Sequence, residues 1–390
     1  IAKGNSMVCL VNSNLDILIK PFKINHKKGE LNYLLEKIKG HENITVVMES
    51  TSIYHLPIEK YFKDFNYKVV VLNPLIVKQN TGTLRKTKTD KIDCIRIAKI
   101  YLFLDPEYFE KVDEYITLNP LSRQYFSLDE GLVRLKNRYK QLIQVVFPEF
   151  EEVFEDEEIY NDIALNFIHD FPHPEYFYTK RTNYLSNVLC KYNGTTQAFR
   201  FKNKASKLKT LAYDSIWYVP KDSYEVHNLV QVVELIIENK NKISSIKSNM
   251  IDALKDTELF KIISSFPQIG QFQTVLLLAE LGDIRRFKSY QSLIAFCGLD
   301  SITIQSGSSI NVHGSISKTG NKYARKTLFN ISWSIIKIAS HCNKNHPILI
   351  FFRKKQSESK HYYTCLCACS TKILRILYAM CTNNKTYIIK

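Results

Sequence analysis

Two short, largely apolar runs, Ile44–Met48 and Val69–Leu72, flank a stretch with helical spacing, Tyr54–Phe65. Apolar runs of about five residues without alternation fit strands covered on both faces. Joined through a helix, they predict a βαβ unit in a parallel sheet. Ahead of it, Met7–Val11 and Leu15–Phe22 read as a hairpin turning at Asn12-Ser13-Asn14. In parallel sheets ligands gather beyond the carboxyl ends of the strands, which is where Glu49 sits. Asp90–Leu102 then reads as a helix whose acidic start faces the same edge.

Asp90 and Asp93 are three apart, so on a helix they share a face and stand close enough to share a divalent cation. Around them lie Lys78, Arg85, Lys86, Lys88, Lys91, Arg96 and Lys99, a surface suited to a polyanion. Acid to hold a metal, set within base to hold phosphate, is the chemistry of nuclease-like or strand-transfer sites. The net charge of +16 is unevenly spread: Ser301–Lys390 carries fourteen Lys or Arg against one acid, Glu358, whereas Glu149–Glu158 is an acidic run. These basic tracts point to nucleic acid; the plain alternative is a solvated basic surface.

Nine scattered cysteines do not suggest a disulfide framework and fit free thiols in a reducing cytosol. Cys365, Cys367 and Cys369 fall on different sides of a helix over Tyr362–Met380, so they read as small core residues rather than a zinc site. With no signal peptide and no apolar stretch of roughly 20 residues, the expected location is cytoplasmic, without a membrane partner.

From about Val112 to Pro220 the chain reads as helical, with Leu128–Val146 a basic amphipathic helix stopped by Pro148 and Phe199–Tyr213 a second basic segment. Leu229, Val232, Ile236, Asn239, Ile243, Ile246 and Met250 form a heptad-like seam. It reads as a coiled coil with one polar core position, or else as a helix packed on its own domain. Phe266-Pro267-Gln268-Ile269-Gly270 before apolar Val275–Leu281 has the outline of half a helix-hairpin-helix element, with Gln268 where glycine is usual. Gly298 to Asn321 is rich in Ser and Gly and reads as a loop, either a phosphate cradle or solvent-facing, that leads into a helix carrying Lys322, Arg325 and Lys326 on one face. A serine in such a loop is a candidate nucleophile.

Several motifs carry a family resemblance: Met48-Glu49-Ser50-Thr51, Asn73-Pro74, Lys88-Thr89-Asp90-Lys91-Ile92-Asp93, Gly282-Asp283-Ile284 with Arg286-Phe287, Ser306-Gly307, and Gly314-Ser315-Ile316-Ser317-Lys318-Thr319-Gly320-Asn321 followed by Arg325. In this order they resemble the DEDD transposases of the IS110 insertion-sequence family, bridge-RNA-guided serine recombinases. The resemblance implies an α/β RuvC-like (ribonuclease H-like) domain over residues 1–105 and a largely helical linker with a coiled coil over 106–258. An α-rich C-terminal transposase domain with the serine loop would occupy 259–390. It also implies that Glu49, Asp90 and Asp93 bind Mg²⁺ as the second, third and fourth acids of the DEDD set, and that Ser306 is the nucleophile, with Ser308 and Ser309 as alternatives. Lys88, Lys91, Lys318, Asn321, Lys322 and Arg325 would contact nucleic acid. The implied partners are DNA, a guide RNA and further copies of the chain, as dimer or tetramer, in a bacterial, nucleoid-associated protein.

One departure stands out. The first acid of the family's set would fall immediately before Ile1, and Asp16, past the hairpin turn, is no obvious substitute. Two other readings therefore accompany the recombinase: a metal-dependent RuvC-like nuclease without covalent serine chemistry, and an inactive copy that only binds nucleic acid.

Overall fold

The computed structural model describes residues 1–50, 53–72, 77, 89–103, 114–306 and 310–388, with backbone alone for 303–306 and 310–314. The chain divides into two compact units, Ile1–Val112 and Asp113–Lys390. Unit 1 opens with an antiparallel pair, β1 (Asn5–Val11) and β2 (Ile17–Asn25), followed by α1 (Lys28–Ile38). Then come β3 (Thr45–Glu49), α2 (Leu56–Asp64), β4 (Lys68–Leu72) and α3 (Asp90–Phe103). β3 and β4 pair in parallel from Thr45↔Lys68 to Glu49↔Leu72, so the expected βαβ unit is present.

Period-two alternation explains the layers. Met48 faces a core with Leu31, Leu34 and Ile38 of α1 and Ile58 and Phe62 of α2. Val70 and Leu72 face the other side, where Val47, Ile97 and Ile100 join them. Helices therefore cover both faces of the β3–β4 ladder, which is why Val46–Met48 and Val69–Leu72 are apolar.

Unit 2 is largely helical. Its helices are α4 (Asn119–Val146), the one-turn α5 (Phe150–Val153), α6 (Asp162–Asp170), α7 (Thr182–Tyr192), α8 (Lys202–Asp214), α9 (Tyr224–Leu254), α10 (Glu258–Ser264), α11 (Gln271–Leu281) and α12 (Tyr290–Phe296). An antiparallel hairpin, β5 (Ser301–Ser306) and β6 (Ile310–Ile316), leads to α13 (Lys322–Cys342), α14 (Pro347–Ser357) and α15 (Tyr362–Thr382).

The long helices α4 and α9 link two cores. Tyr139–Val146 of α4 and Leu229–Ile236 of α9 belong to one, with Phe150, Phe167 and Leu185. Phe126 of α4 and Ile246–Leu254 of α9 belong to the other, with α11, α13 and α15. The early residues of one helix thus share a core with the late residues of the other, so the two run antiparallel. Leu229, Val232, Ile236, Ile243, Ile246 and Met250 are all buried in the same unit. The seam therefore packs on its own domain: 3,4 spacing specifies an apolar stripe but not whether the facing helix is in the same chain.

Two other expectations change. The Ser/Gly-rich segment read as a loop is the β5–β6 hairpin, because Ile302 and Ile304, then Ile310 and Val312, alternate at strand period. Among the described helices, α15 alone is long and apolar enough to cross a bilayer by length and composition. Its Cys365, Cys369, Ile373 and Leu377 are fully buried in the second core.

Candidate active site

Thr89 starts α3: its carbonyl accepts from the backbone N–H groups of Ile92 and Asp93. Asp90 and Asp93 therefore sit in the first turn of that helix, where the aligned peptide dipoles favour negative charge. Asp90 is exposed; Asp93 is half-buried and faces Arg96 at 3.4 Å. Glu49 ends β3, half-buried, opposite Leu72. All three acids belong to unit 1, and α3 packs on β3 as well as β1. Carboxylate oxygens are the right donors for Mg²⁺. As placed, though, these acids do not converge: among the described residues no group of three or more His, Cys, Asp or Glu is arranged to hold a metal ion.

Ser306 is the last residue of β5, paired with Ile310 across the hairpin. Ser308 and Ser309 lie outside the described residues, as do Lys88, Lys78, Arg85 and Lys86. Lys91 is exposed on α3.

The base of the hairpin is closely tied. Ser317 N–H donates to Asp300 O at 2.8 Å and Ser317 Oγ to Asp300 Oδ1 at 2.6 Å. Lys318 N–H donates to Gly298 O at 3.1 Å, and Asn321 N–H to Phe296 O at 2.7 Å. Gly320 has φ +152°, and a Cβ there would lie 2.4 Å from Phe296 O and 2.9 Å from Gly298 N. Since backbone surrounds the site, Gly320→Ala is expected to destabilise unit 2 by about 3 kcal/mol, read from the urea midpoint. An unchanged midpoint would show that the base is not closed in this way.

The Asn321 and Arg325 side chains are engaged inside the protein. Asn321 Oδ1 accepts from the N–H groups of Tyr323 and Ala324, both at 3.0 Å, capping α13. Its Nδ2 donates to Glu280 Oε2 at 2.8 Å and to Glu280 O at 3.1 Å. Arg325 Nη1 donates to Cys297 O at 2.8 Å, bracing the turn that enters β5. Lys326 faces Asp129 at 3.5 Å. Lys318 and Lys322 remain exposed, and Lys322 has no carboxylate partner among the described residues.

Sequence reasoning missed the centre of this arrangement. Glu280 of α11 has a fully buried side chain. Arg123 of α4 donates to it twice, each at 2.9 Å, and Ser122 Oγ once at 2.8 Å. The Arg123 guanidinium also lies 4.2 Å from the centre of the Tyr323 ring. One carboxylate thus ties α4 and α11 to the start of α13. The available signal was a lone acid inside the apolar run Val275–Leu281. At the front of α11, Gln268 adopts φ +62°, the left-handed conformation for which glycine is usual, and Gly270 caps the helix.

These interactions separate the basic residues into two kinds. Lys322→Ala is expected to make the salt dependence of DNA binding shallower by roughly 0.9 in log–log slope, as for one fewer phosphate neutralised. Arg325→Ala is expected to lower the unfolding midpoint and leave that slope unchanged. Equal slopes for Lys322→Ala and the parent chain would remove α13 from the DNA interface.

Comparison with known proteins places transposase domains at both regions. A DEDD-type IS110 family model, described as a transposase, matches residues 1–148. The model described as the transposase IS116/IS110/IS902 family matches residues 260–346, which include the β5–β6 hairpin and all of α13. No curated protein matches the chain.

Proposed function

We propose that this chain, which resembles the IS110-family transposases and is a DNA transposase by its domains, exchanges DNA strands through Ser306. Ser306 Oγ attacks the phosphorus of a phosphodiester: the Oγ–P bond forms and the bond from phosphorus to the leaving sugar oxygen breaks. The serine proton passes to a base and the leaving oxygen takes up a proton. The phosphoserine link conserves the phosphodiester, so the hydroxyl of a second strand can reverse the step onto a new partner.

The observation that carries this reading is the hairpin in the matched C-terminal domain: a serine ends β5, and a tied base joins its far strand to a basic helix. A RuvC-like reading of unit 1 is supported by the hairpin followed by the parallel β3–α2–β4 unit, with Glu49 at the strand end and Asp90 and Asp93 starting α3. Mg²⁺ suits those oxygen donors and would supply charge neutralisation at the phosphate. Because the acids do not converge, the serine step is drawn without the ion. The charge of +16 supports nucleic acid as partner, with a guide RNA and assembly as a dimer or tetramer forming part of the same proposal. A second reading, binding without cleavage, is favoured by the same lack of convergence.

The test is to incubate the protein with its element's DNA ends and Mg²⁺, denature, and look for protein covalently joined to DNA. The expected product is an adduct that peptide mapping assigns to Ser306. Hydrolysed DNA with no adduct would indicate the nuclease; binding with neither product would indicate the inactive form.

A further inference from the structure

We infer that the α7–α8 pair of unit 2 presents a binding surface for single-stranded nucleic acid, with exposed aromatic rings stacking on unpaired bases and Lys and Arg following the backbone. The pair lies between the two matched regions of the chain. Charge is divided here along the sequence: Glu149–Glu175 holds ten acids and no Lys or Arg, and Tyr176–Tyr213 holds eight Lys or Arg and no acid. Folding engages only part of that basic half. Lys204 pairs with Glu158 at 2.6 Å and Lys207 Nζ donates to Glu152 O at 2.5 Å, while Lys136 and Lys140 of α4 take Glu157 and Glu151. Among the described residues, Arg200, Lys202 and Lys209 have no carboxylate partner.

Helical spacing sets these cations beside aromatic rings. Ala205, Leu208 and Ala212 of α8 are buried, and Lys204 and Lys207 stand on the side that meets the acidic run. Lys202, Lys209 and Tyr213, seven and then four residues apart, share a third face. Ser186 Oγ of α7 donates to Ala198 O just ahead of α8, and the Tyr178 ring, just ahead of α7, lies 6.4 Å from that of Tyr213. The two helices therefore run antiparallel. This brings exposed Lys180 and Arg181 to the Tyr213 end and leaves Phe199 and Arg200 at the other. The Phe199 and Tyr213 side chains are each 74% exposed. Bases in a duplex cover one another's faces, so rings displayed in this way suit unpaired bases, and each ring has cations near it for the adjoining phosphates. A folded protein is a poorer match, because lysine is depleted from the centres of protein–protein interfaces. The inference goes beyond strand exchange through Ser306 and does not depend on it.

The test is photo-crosslinking of the full chain to a single-stranded oligothymidylate that carries 5-iodouracil, a base that joins covalently to aromatic side chains stacked on it, followed by peptide mapping. Crosslinks are expected at Phe199 or Tyr213. Phe199→Leu combined with Tyr213→Leu keeps the charge and the apolar character of the surface. It is expected to weaken single-strand binding on the order of 30-fold, as for two lost stacking contacts, with duplex affinity unchanged. Since both rings are exposed, the unfolding midpoint is expected to stay at the parent value. Arg200→Gln, Lys202→Gln and Lys209→Gln together are expected to make the salt dependence of single-strand binding shallower by about 2 in log–log slope, at roughly 0.7 for each phosphate released. Crosslinks that map only elsewhere, or an equal loss of single-strand and duplex affinity in the double variant, would overturn the proposal. A changed oligomeric state of the triple variant without nucleic acid would reassign the surface to the acidic run of a second copy and overturn it as well. Because the readout is binding, failure of the serine reaction would leave these results standing, and failure here would leave the serine reaction standing.

Discussion

Ser306→Ala is expected to abolish the covalent protein–DNA adduct and to reduce strand exchange on the order of 10³-fold or more, with DNA affinity little changed. Losing the nucleophile removes the bond-forming atom itself, whereas binding draws on many phosphate contacts, of which one neutral hydroxyl is a small part. The variant must therefore separate two readouts: binding curves that overlay the parent chain, and a denaturing gel without the shifted band. Ser308→Ala is the companion, expected to keep both. A structural cost of the change is expected to be small, since a serine and an alanine differ by one oxygen on the last residue of β5. Adduct retained in Ser306→Ala and absent in Ser308→Ala would move the nucleophile two residues along. Adduct retained in both would sink the serine assignment.

The parts of the fold that were legible in the sequence follow from periodicity. Val46–Met48 and Val69–Leu72 are apolar because α1 and α2 cover one face and α3 the other, so the two strands and the helix between them were readable together. The β5–β6 hairpin was not, since Ser and Gly dominate its composition and hide the alternation of Ile302, Ile304, Ile310 and Val312. For the candidate site, residue types were legible but their orientations were not. Lys322, Arg325 and Lys326 share spacing on α13, yet Arg325 turns to Cys297 O and Lys326 to Asp129, while Lys322 stays exposed. Spacing gives a shared stripe and leaves open what each side chain meets. Asn321 is similar: it stands in a motif expected to touch nucleic acid, and its amide is fully engaged in capping α13 and bonding Glu280. Glu280 was invisible because its partners, Ser122 and Arg123, lie more than a hundred residues away in sequence.

The largest stability effect is expected at that carboxylate. Glu280→Ala removes the acceptor of two Arg123 bonds, one Ser122 bond and one Asn321 side-chain bond. Breaking a buried pair by deleting one partner costs about 3–5 kcal/mol, and the low end applies because the Arg123 side chain is 45% exposed and can recover water. For a unit of this size about 3 kcal/mol corresponds to a fall in Tm of roughly 5 °C. Glu280→Gln keeps one carbonyl acceptor and the side-chain shape, so it is expected to lose about half as much. Replacing both partners, Glu280→Leu with Arg123→Leu, is expected to recover part of the loss, since no charge is then left without its counterpart. Because Asn321 links Glu280 to the start of α13, and the hairpin base is tied to Phe296 through the Asn321 backbone, the single variant should also loosen the hairpin. Hydrogen exchange in β5 and β6 should rise in Glu280→Ala at temperatures well below its Tm and remain near the parent rate in Glu280→Gln. A Glu280→Ala protein that melts within 2 °C of the parent (less than about 1 kcal/mol) would show that this network does not hold α4, α11 and α13 together.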